Sequence, residues 1–219
     1  MFNLFGKKKG TIDSITLPDF GWEQVKSDAN VKQWINPEST MALSTNFFAV
    51  VPDIPTMSDI HALRAFYRTQ LSKNNGGLIQ VDFITLKGYK AIKTVFKFQQ
   101  EAQAITYLVS LTIPFSHCSY VLKIQAAERE VTGIREAVVA NRMLKKGTIS
   151  VGEGGYENWS TDPYDTNLTG GFLMNCSEEP AYDIEFPQHP LSQARNTIAI
   201  IEEQLEFGSD LQKLKGFRQ

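Results

Sequence analysis

The chain has 219 residues, of which 42% are hydrophobic and 21% charged, with a net charge of −2 and two cysteines. This length suits one domain, or one domain with an appendage, and it can bury a core without a disulfide framework or a structural metal. The sequence has no basic stripe with interleaved aromatic residues, so nucleic-acid binding is disfavoured. No apolar run reaches the roughly 20 residues of a membrane-spanning helix.

The N-terminus combines a short apolar patch with Lys7, Lys8 and Lys9. A secretory signal has the opposite order, with its charges ahead of a longer apolar region. We therefore predict a flexible tail over residues 1–10 without stable membrane anchoring, since three lysines near an anionic membrane are worth about 1 kcal/mol each. The cysteine usage favours a reducing compartment, so the expected location is the cytoplasm.

Residues 11–148 are predicted to form the body of the protein. It starts with short extended pieces, Gly21–Val25, Val31–Ile35 and Met41–Val51. A helix follows, for which Thr56 is the expected N-cap and Asp59 completes a capping box. Apolar positions at spacings of three and four predict one buried stripe on this helix. The stripe consists of Ile60, Leu63, Tyr67 and Leu71.

The region from Leu78 to Ala127 alternates apolar and polar residues in four runs. Alternation predicts strands with one buried and one wetter face, and the short connections require antiparallel neighbours. We therefore predict a four-stranded antiparallel meander, in which Lys93, Lys97 and Lys123 lie on the wetter face.

Two further helices are predicted. The first covers Val131–Leu144, with Val131, Ile134 and Val138 on one side, and Gly147 suits its end. The last begins at about Ser192, its expected N-cap, and ends at about Phe207. Its apolar seam consists of Leu191, Ala194, Ile198, Ile201 and Leu205.

Three features between Trp22 and Leu144 carry a family resemblance. They are Phe47-Phe48-Ala49-Val50-Val51-Pro52 before the first helix, Gly88-Tyr89-Lys90-Ala91 at the start of a strand, and the strands of Tyr107 and Tyr120. With the order of elements, they resemble the PsbP-like superfamily, which includes bacterial DcrB-type proteins. The resemblance implies an α/β sandwich with a mostly non-enzymatic binding or assembly role, and no catalytic constellation carries over.

The C-terminal third resembles a module of uncharacterised bacterial proteins. The likeness lies in Asp162-Pro163-Tyr164-Asp165, in Tyr182-Asp183, and in the run from Phe186 to Ser192. A resemblance at this level implies no function by itself.

The strongest polar feature is the segment from Val151 to Pro190, which has eight acidic residues and no lysine or arginine, so that the rest of the chain carries +6. Aromatic residues lie among the acids, as in interfaces where aromatic side chains dominate the binding energy. The acids include Glu153 and Glu157. The predicted partner-binding residues are Asp162, Asp165, Glu178, Glu179, Asp183, Glu185, Trp159, Tyr164 and Tyr182.

Two alternatives to a partner surface stay open for this segment. Its acids are either solvated loop charges or are neutralised internally by cations of the body. The candidate cations are Arg129, Arg135, Arg142, Lys145 and Lys146.

Catalytic and metal-binding patterns are scarce. His61, His117 and His189 have no ligand spacing and the chain has no CxxC, so no zinc site and no cofactor are predicted. His117 and Cys118 are strand neighbours that point to opposite faces. His189 precedes Pro190 and is expected to close off the last helix.

We therefore expect an α+β fold: an antiparallel meander sheet packed with helices, plus an acidic, loop-rich extension over residues 149–219 that packs on the body and ends in a helix. The expected function is non-enzymatic: a bacterial accessory or immunity-type protein whose acidic surface captures a basic protein partner by electrostatic steering.

Two other functions remain open. One is a scaffold or assembly factor that acts through the sheet face, or a homodimer formed through the Leu191–Leu205 seam. The other is an enzyme that uses paired carboxylates such as Asp162 and Asp165. That enzyme would need a cleft in which one carboxylate has a raised pKa.

Overall fold

A computed structural model describes residues 10–100, 104–129 and 133–218. The predicted N-terminal tail, apart from Gly10, and Val131 of the predicted second helix lie outside the described residues. The strands are β1 (Ile15–Thr16), β2 (Glu23–Ser27), β3 (Val31–Ile35), β4 (Met41–Phe48), β5 (Gly76–Leu86), β6 (Tyr89–Gln99), β7 (Ile105–Pro114), β8 (Ser119–Ala127), β9 (Ser150–Gly152), β10 (Gly155–Glu157), β11 (Ser160–Thr161), β12 (Met174–Asn175) and β13 (Glu206–Phe207). The α-helices are α1 (Ile60–Ser72), α2 (Ile134–Lys146) and α3 (Pro190–Gln204), and short 3-10 helices cover Ile12–Ser14, Cys176–Glu178, Pro180–Tyr182 and Leu211–Lys213.

A seven-stranded antiparallel sheet forms the centre of the fold, with strand order β2-β3-β4-β8-β7-β6-β5. Two meanders, β2-β3-β4 and β5-β6-β7-β8, join where β4 pairs with β8. Ile124 of β8 lies opposite Leu43 on one side and Val109 on the other. The predicted α+β class and the four-stranded meander are therefore confirmed.

The sheet has a hydrophobic cluster on each face. On β6, Ala91 and Val95 belong to the cluster that α3 covers, while Ile92 and Phe96 belong to the cluster that α1 covers. Successive side chains of a strand point to opposite faces, so the clusters lie on opposite sides of the sheet. Both faces are thus buried where the helices pack, and the fold is an α+β sandwich.

Helix α1 has the predicted apolar stripe but a different cap. The Asp59 side chain accepts hydrogen bonds from two backbone N–H groups of the first turn. Thr56, the predicted cap, accepts hydrogen bonds in the turn before the helix. The prediction of Thr56 as the N-cap is therefore wrong, although both residue types suit that position. Leu63 and Leu71 are buried and Tyr67 packs beside them, as predicted.

Helix α2 does not bury the apolar side that the sequence showed. Ile134 and Val138, predicted to lie on one side of this helix, are exposed, while Arg135 and Val139 are buried. The apolar pattern was misleading because this helix packs on a polar part of the C-terminal segment, where the Arg135 guanidinium finds its partners. The predicted helix end is confirmed: Gly147 has φ 71° and donates its N–H to the last turn.

Helix α3 supplies apolar side chains to the core. It begins earlier than predicted, with His189 as N-cap accepting the Leu191 N–H through Nδ1. The prediction that His189 closes off this helix is therefore confirmed, and Ser192 lies inside the first turn. The fully buried seam packs against β7 and β8, so it does not offer a dimer surface. Its residues are Leu191, Ala194, Ile198, Ile201 and Leu205.

The two ends of the described chain lie side by side. Strand β1 pairs with β13, and the Tyr120 hydroxyl donates a hydrogen bond of 2.6 Å to the Thr11 carbonyl. Across residues 10–100, 104–129 and 133–218, none of the helices has the length and apolar character that crossing a membrane demands.

Candidate functional site

The structure divides the acidic residues of the segment Val151–Pro190 into those that form ion pairs within the described residues and those that do not. Four of its eight acids form ion pairs with side chains from the sheet or the helices. These pairs are Asp162 with Arg68, Glu178 with Lys97, Asp183 with Arg135 and Arg195, and Glu185 with Arg142. Internal neutralisation thus accounts for half of the segment's negative charge.

The most deeply buried pair joins Lys97 of β6 to Glu178, with side chains 1% and 0% exposed and a Nζ–Oε2 distance of 2.8 Å. The Lys97 Nζ also lies 4.3 Å from the centre of the Phe172 ring. Glu178 Oε2 in addition accepts the Asn175 N–H at the start of a 3-10 helix. The prediction that Lys97 lies on a wetter face is wrong, because the C-terminal segment covers that face.

Asp162 is bound by Arg68 through two parallel hydrogen bonds of 2.6 and 2.7 Å. The backbone N–H groups of Tyr164 and Asp165 also donate to it. Burial alone would raise the pKa of Asp162, but the Arg68 and backbone hydrogen bonds outweigh burial and lower it. Acid–base chemistry by paired carboxylates needs the opposite shift, so this geometry does not favour the Asp162–Asp165 enzyme hypothesis.

Arg135 holds the segment to the start of α2. Its buried guanidinium donates to the Ser177 carbonyl at 2.6 Å, to Asp183 at 3.0 Å and to the Ser192 hydroxyl at 2.8 Å. Asp183 is shared with Arg195 of α3 at 3.2 Å. Buried charges require such pairing, so Asp183 is committed to two internal cations.

The predicted partner-binding residues therefore fall into different environments. Asp162, Glu178 and Tyr164 face inward: the Tyr164 hydroxyl accepts the Val81 N–H at 2.8 Å, and the Arg64 guanidinium stacks on its ring. Those three side chains hold the extension to the body; Asp162 and Glu178 are buried and Tyr164 is half-buried. Asp165, Trp159 and Tyr182 are half-buried, whereas Glu179 and Glu185 are exposed.

The β9–β10 hairpin (residues 150–157), which we call the acidic hairpin, carries two of the remaining acids. Glu153 and Glu157 are exposed, and neither forms an ion pair with any residue that the structure describes. Glu157 instead accepts a hydrogen bond of 2.7 Å from the Ser150 hydroxyl across the hairpin. The acidic hairpin thus presents negative charge that no described cation offsets.

Apolar side chains accompany these acids. Val151 lies opposite Tyr156 across the two strands, and the two residues are 73% and 47% exposed. The Tyr156 ring packs edge-on against Trp159, with ring centres 6.1 Å apart. Trp159 is the one predicted partner-binding residue that contacts the acidic hairpin through this stacking.

A cavity of about 910 Å³ lies elsewhere, between the end of β8, the start of α2 and the loop before α3. Glu128, Ile134, Phe186 and His189 are among its lining residues. Glu128 is the last described residue but one before the gap at 130–132, and its Oε2 accepts the Ile105 N–H at 3.1 Å.

Glu128 and His189 of this cavity form a carboxylate–histidine cluster with Glu136, with one ligand-type atom from each residue within 4.8 Å of the other two. The His189 Nε2 lies 3.3 Å from Glu128 Oε1. That contact is not aligned as a hydrogen bond. Neither His189 Nε2 nor either carboxylate oxygen of Glu136 has a hydrogen-bond partner within the described part of the chain.

Tyr107 of β7 adjoins the cluster. Its ring packs edge-on against His189 at 5.4 Å between ring centres, and its fully buried hydroxyl finds no hydrogen-bond partner among the described residues. Burial, followed by the charges of Glu178, Glu136 and Glu128, raises the pKa of Tyr107 well above its ordinary value. Burial also raises the pKa of Glu136, its own backbone N–H acts in the opposite direction, and the Glu128 charge adds to the rise.

Sequence reasoning missed this cluster because its members come from three distant elements. Glu128 follows β8, Glu136 lies in the first turn of α2, and His189 caps α3. No local spacing links them, so only the correct topology would have brought them together. The prediction of no metal site rested on local spacing alone.

Comparisons with known proteins add little to this geometry. No protein-family model and no curated protein matches the chain. A protein of unknown function from Pseudomonas aeruginosa is similar over 62% of this chain and 96% of its own, with 12% identity and a TM-score of 0.36. A protein from Bacteroides thetaiotaomicron VPI-5482 is similar over 56% of this chain, with 10% identity and a TM-score of 0.36, and the match covers 41% of that protein. Similarity this weak carries no argument about function, and the PsbP-like resemblance stays a prediction.

Proposed function

We propose that the protein is a non-enzymatic binding protein that captures a basic protein partner through the acidic hairpin. The observation that supports this proposal is the exposure of Glu153 and Glu157 beside the Val151–Tyr156 pair, with no described cation to offset them. A cytoplasmic location and an accessory or immunity-type role belong to the same proposal. Both cysteines are free thiols, which suits a reducing compartment.

The proposal narrows the binding surface that the sequence suggested. Four acids of the segment are already paired with cations of the same chain, and these cations largely cancel the attraction of the four acids for a basic partner. The acidic hairpin keeps its charge at the surface, where it can steer a basic partner. Tyr156 and Trp159 offer the aromatic contact area that commonly dominates binding energies.

Affinity capture with charge-reversal variants tests this proposal. The wild type is compared, in lysate of the source cells, with a variant carrying Glu153→Lys and Glu157→Lys. The matched control carries Glu203→Lys and Glu206→Lys, two exposed acids at the end of α3 and in β13, and has the same change in net charge. We expect the wild type and the control to retain a basic protein that the hairpin variant loses.

The association rate of the captured protein gives a second measurement. Steering by exposed charges weakens as salt shortens the Debye length, from about 10 Å at 0.1 M to about 3 Å at 1 M. The rate should therefore fall steeply with salt for the wild type and the control. Equal capture by all three proteins, or a rate that does not depend on salt, would contradict the proposal.

A further inference from the structure

We propose that Glu128, Glu136 and His189 bind one divalent transition-metal cation, with Zn²⁺ as the best-matched ion. The site is separate from the acidic hairpin, and it goes beyond the protein-binding function proposed above. Its ligand set mixes carboxylate oxygens with one imidazole nitrogen. Imidazole favours Zn²⁺, Fe²⁺ and related ions, while carboxylates also bind Mn²⁺.

The spacing of the ligand atoms suits a small ion. Zinc binds carboxylate oxygen and imidazole nitrogen at about 2.0–2.2 Å, so two ligands of a tetrahedral site lie about 3.4 Å apart. The His189 Nε2–Glu128 Oε1 distance of 3.3 Å already has that value. The third ligand atom, on Glu136, is no farther than 4.8 Å from the other two. A modest rotation of the Glu136 side chain would close the site.

An independent observation, the unsatisfied polar atoms that the described residues leave beside the cluster, also points to a bound ligand. The fully buried Tyr107 hydroxyl, whose ring lies against His189, has no hydrogen-bond partner among the described residues, and neither has Glu178 Oε1. Buried polar atoms are nearly always satisfied, and an exception points to a bound water or ion. The ring contact of 5.4 Å between Tyr107 and His189 joins this unsatisfied residue to the cluster of Glu128, Glu136 and His189.

The charge count favours a cation at the cluster. The connected network contains four carboxylates and three side-chain cations. The carboxylates are Glu128, Glu136, Glu178 and Asp183, and the cations are Lys97, Arg135 and Arg195. Among these buried and half-buried groups the carboxylates outnumber the cations by one, and a local excess of negative charge favours the binding of a cation.

Metal binding requires a change in His189. Its Nδ1 accepts the Leu191 N–H at 3.2 Å, so in the neutral ring the proton sits on Nε2. A metal at Nε2 displaces that proton, and when the proton moves to Nδ1 the hydrogen bond to Leu191 is lost. One hydrogen bond at a helix start is small beside three metal–ligand bonds. Binding should therefore shift the Leu191 amide resonance in an NMR spectrum.

Zinc titration of the full chain, freed of metal with a chelator, tests the site. We expect one Zn²⁺ per chain by calorimetry. Glu136→Gln, which keeps the side-chain shape, should weaken binding at least tenfold, since even losing a residue that only supports a ligand costs roughly 10–100-fold. His189→Asn should do the same while keeping an N-cap acceptor. Ca²⁺ should not bind, because it takes 6–8 oxygen ligands.

Two controls keep the result specific to this site. His61→Asn, on the exposed side of α1, should bind Zn²⁺ as the wild type does. X-ray absorption of the zinc-loaded wild type, which needs no variant to fold, should show oxygen and nitrogen ligands with one imidazole. No binding by the folded wild type, equal binding by Glu136→Gln and His189→Asn, or a sulfur ligand would overturn the proposal.

Discussion

The inward-facing acids, Asp162 and Glu178, and the exposed acids of the acidic hairpin belong to one stretch of sequence but differ in their environments. Glu178 and Asp162 are buried and bound by Lys97 and Arg68, whereas Glu153 and Glu157 are exposed without a described cation. In the sequence both groups are acids among glycines and aromatic residues. A run of acidic residues in the sequence therefore describes only the composition of a segment. The positions of the cations in the fold decide which acids form internal ion pairs and which stay charged at the surface.

The physical cost of removing a charge differs between the two groups. A buried ion pair gains little over an apolar pair, because desolvation offsets the attraction, but removing one partner leaves an uncompensated buried charge. An exposed charge stays solvated and its removal costs little. A series of single substitutions that runs from the inside to the outside should therefore show a steady decline in effect.

The largest effect is expected for Lys97→Met. This change leaves Glu178 buried without its cation and should lower the free energy of unfolding by about 3–5 kcal/mol. Urea denaturation measures the loss. Adding Glu178→Gln, whose amide oxygen can still accept the Asn175 N–H, should recover much of the stability. A Lys97→Met protein as stable as the wild type would mean that the extension does not depend on this pair.

The next effect is pH-dependent and concerns Asp162→Asn. The hydrogen bonds to Asp162 hold its pKa in the folded state below its ordinary value despite burial, while in the unfolded chain the value is about 3.9. The ionised carboxylate therefore stabilises the fold above about pH 3.9, and this contribution is lost as pH falls through the folded-state pKa. We expect a deficit of about 1.5–3 kcal/mol at pH 7.

Urea denaturation of the wild type and Asp162→Asn between pH 7 and pH 3 measures the difference in their free energies of unfolding. This difference should become smaller in acid. Arg68→Met serves as the matched change on the other side of the pair, and its difference from the wild type should become smaller in the same range. A difference that stays constant with pH would show that the ionised form of Asp162 contributes nothing special to stability.

Sequence patterns predicted the elements of the fold better than they predicted the site. Period-two alternation located β5 to β8, and the spacing of apolar residues identified the seam of α3, because both patterns report burial against an apolar layer. The same reasoning failed for Ile134 and Val138, since α2 packs on polar groups that Arg135 binds. A pattern of apolar residues does not report a buried guanidinium.

The candidate sites show the same limit. The acidic segment stood out in the sequence, but its division into inward and exposed acids depended on Lys97 and Arg68, which are distant along the chain. The cluster of Glu128, Glu136 and His189 had no pattern of its own, because the sheet topology brings β8, α2 and α3 together. Long-range pairing is the information that local periodicity does not contain.

A smaller effect is expected for Arg142→Gln, because its ion pair is more exposed than the buried Lys97–Glu178 pair, whereas the acids of the acidic hairpin have no described cation at all. Arg142 binds Glu185 with two hydrogen bonds, but their side chains are 39% and 40% exposed. Exposed pairs contribute little to stability because water screens them, and added salt screens them further. Thermal denaturation at low and high salt should show a small deficit that shrinks as salt is added. A deficit as large as that of Lys97→Met would erase the distinction between buried and exposed pairs.

The smallest effect is expected for Glu153→Lys in the acidic hairpin. No described cation contacts Glu153, and exposed substitutions of this kind change stability by about 0.5 kcal/mol or less. Its urea midpoint should match that of the wild type and of Glu203→Lys, the equivalent change on α3. A clear loss of stability would mean that this acid, like Glu178, serves the fold. With stability unchanged, a loss of partner capture by the hairpin variant is attributable to the surface itself.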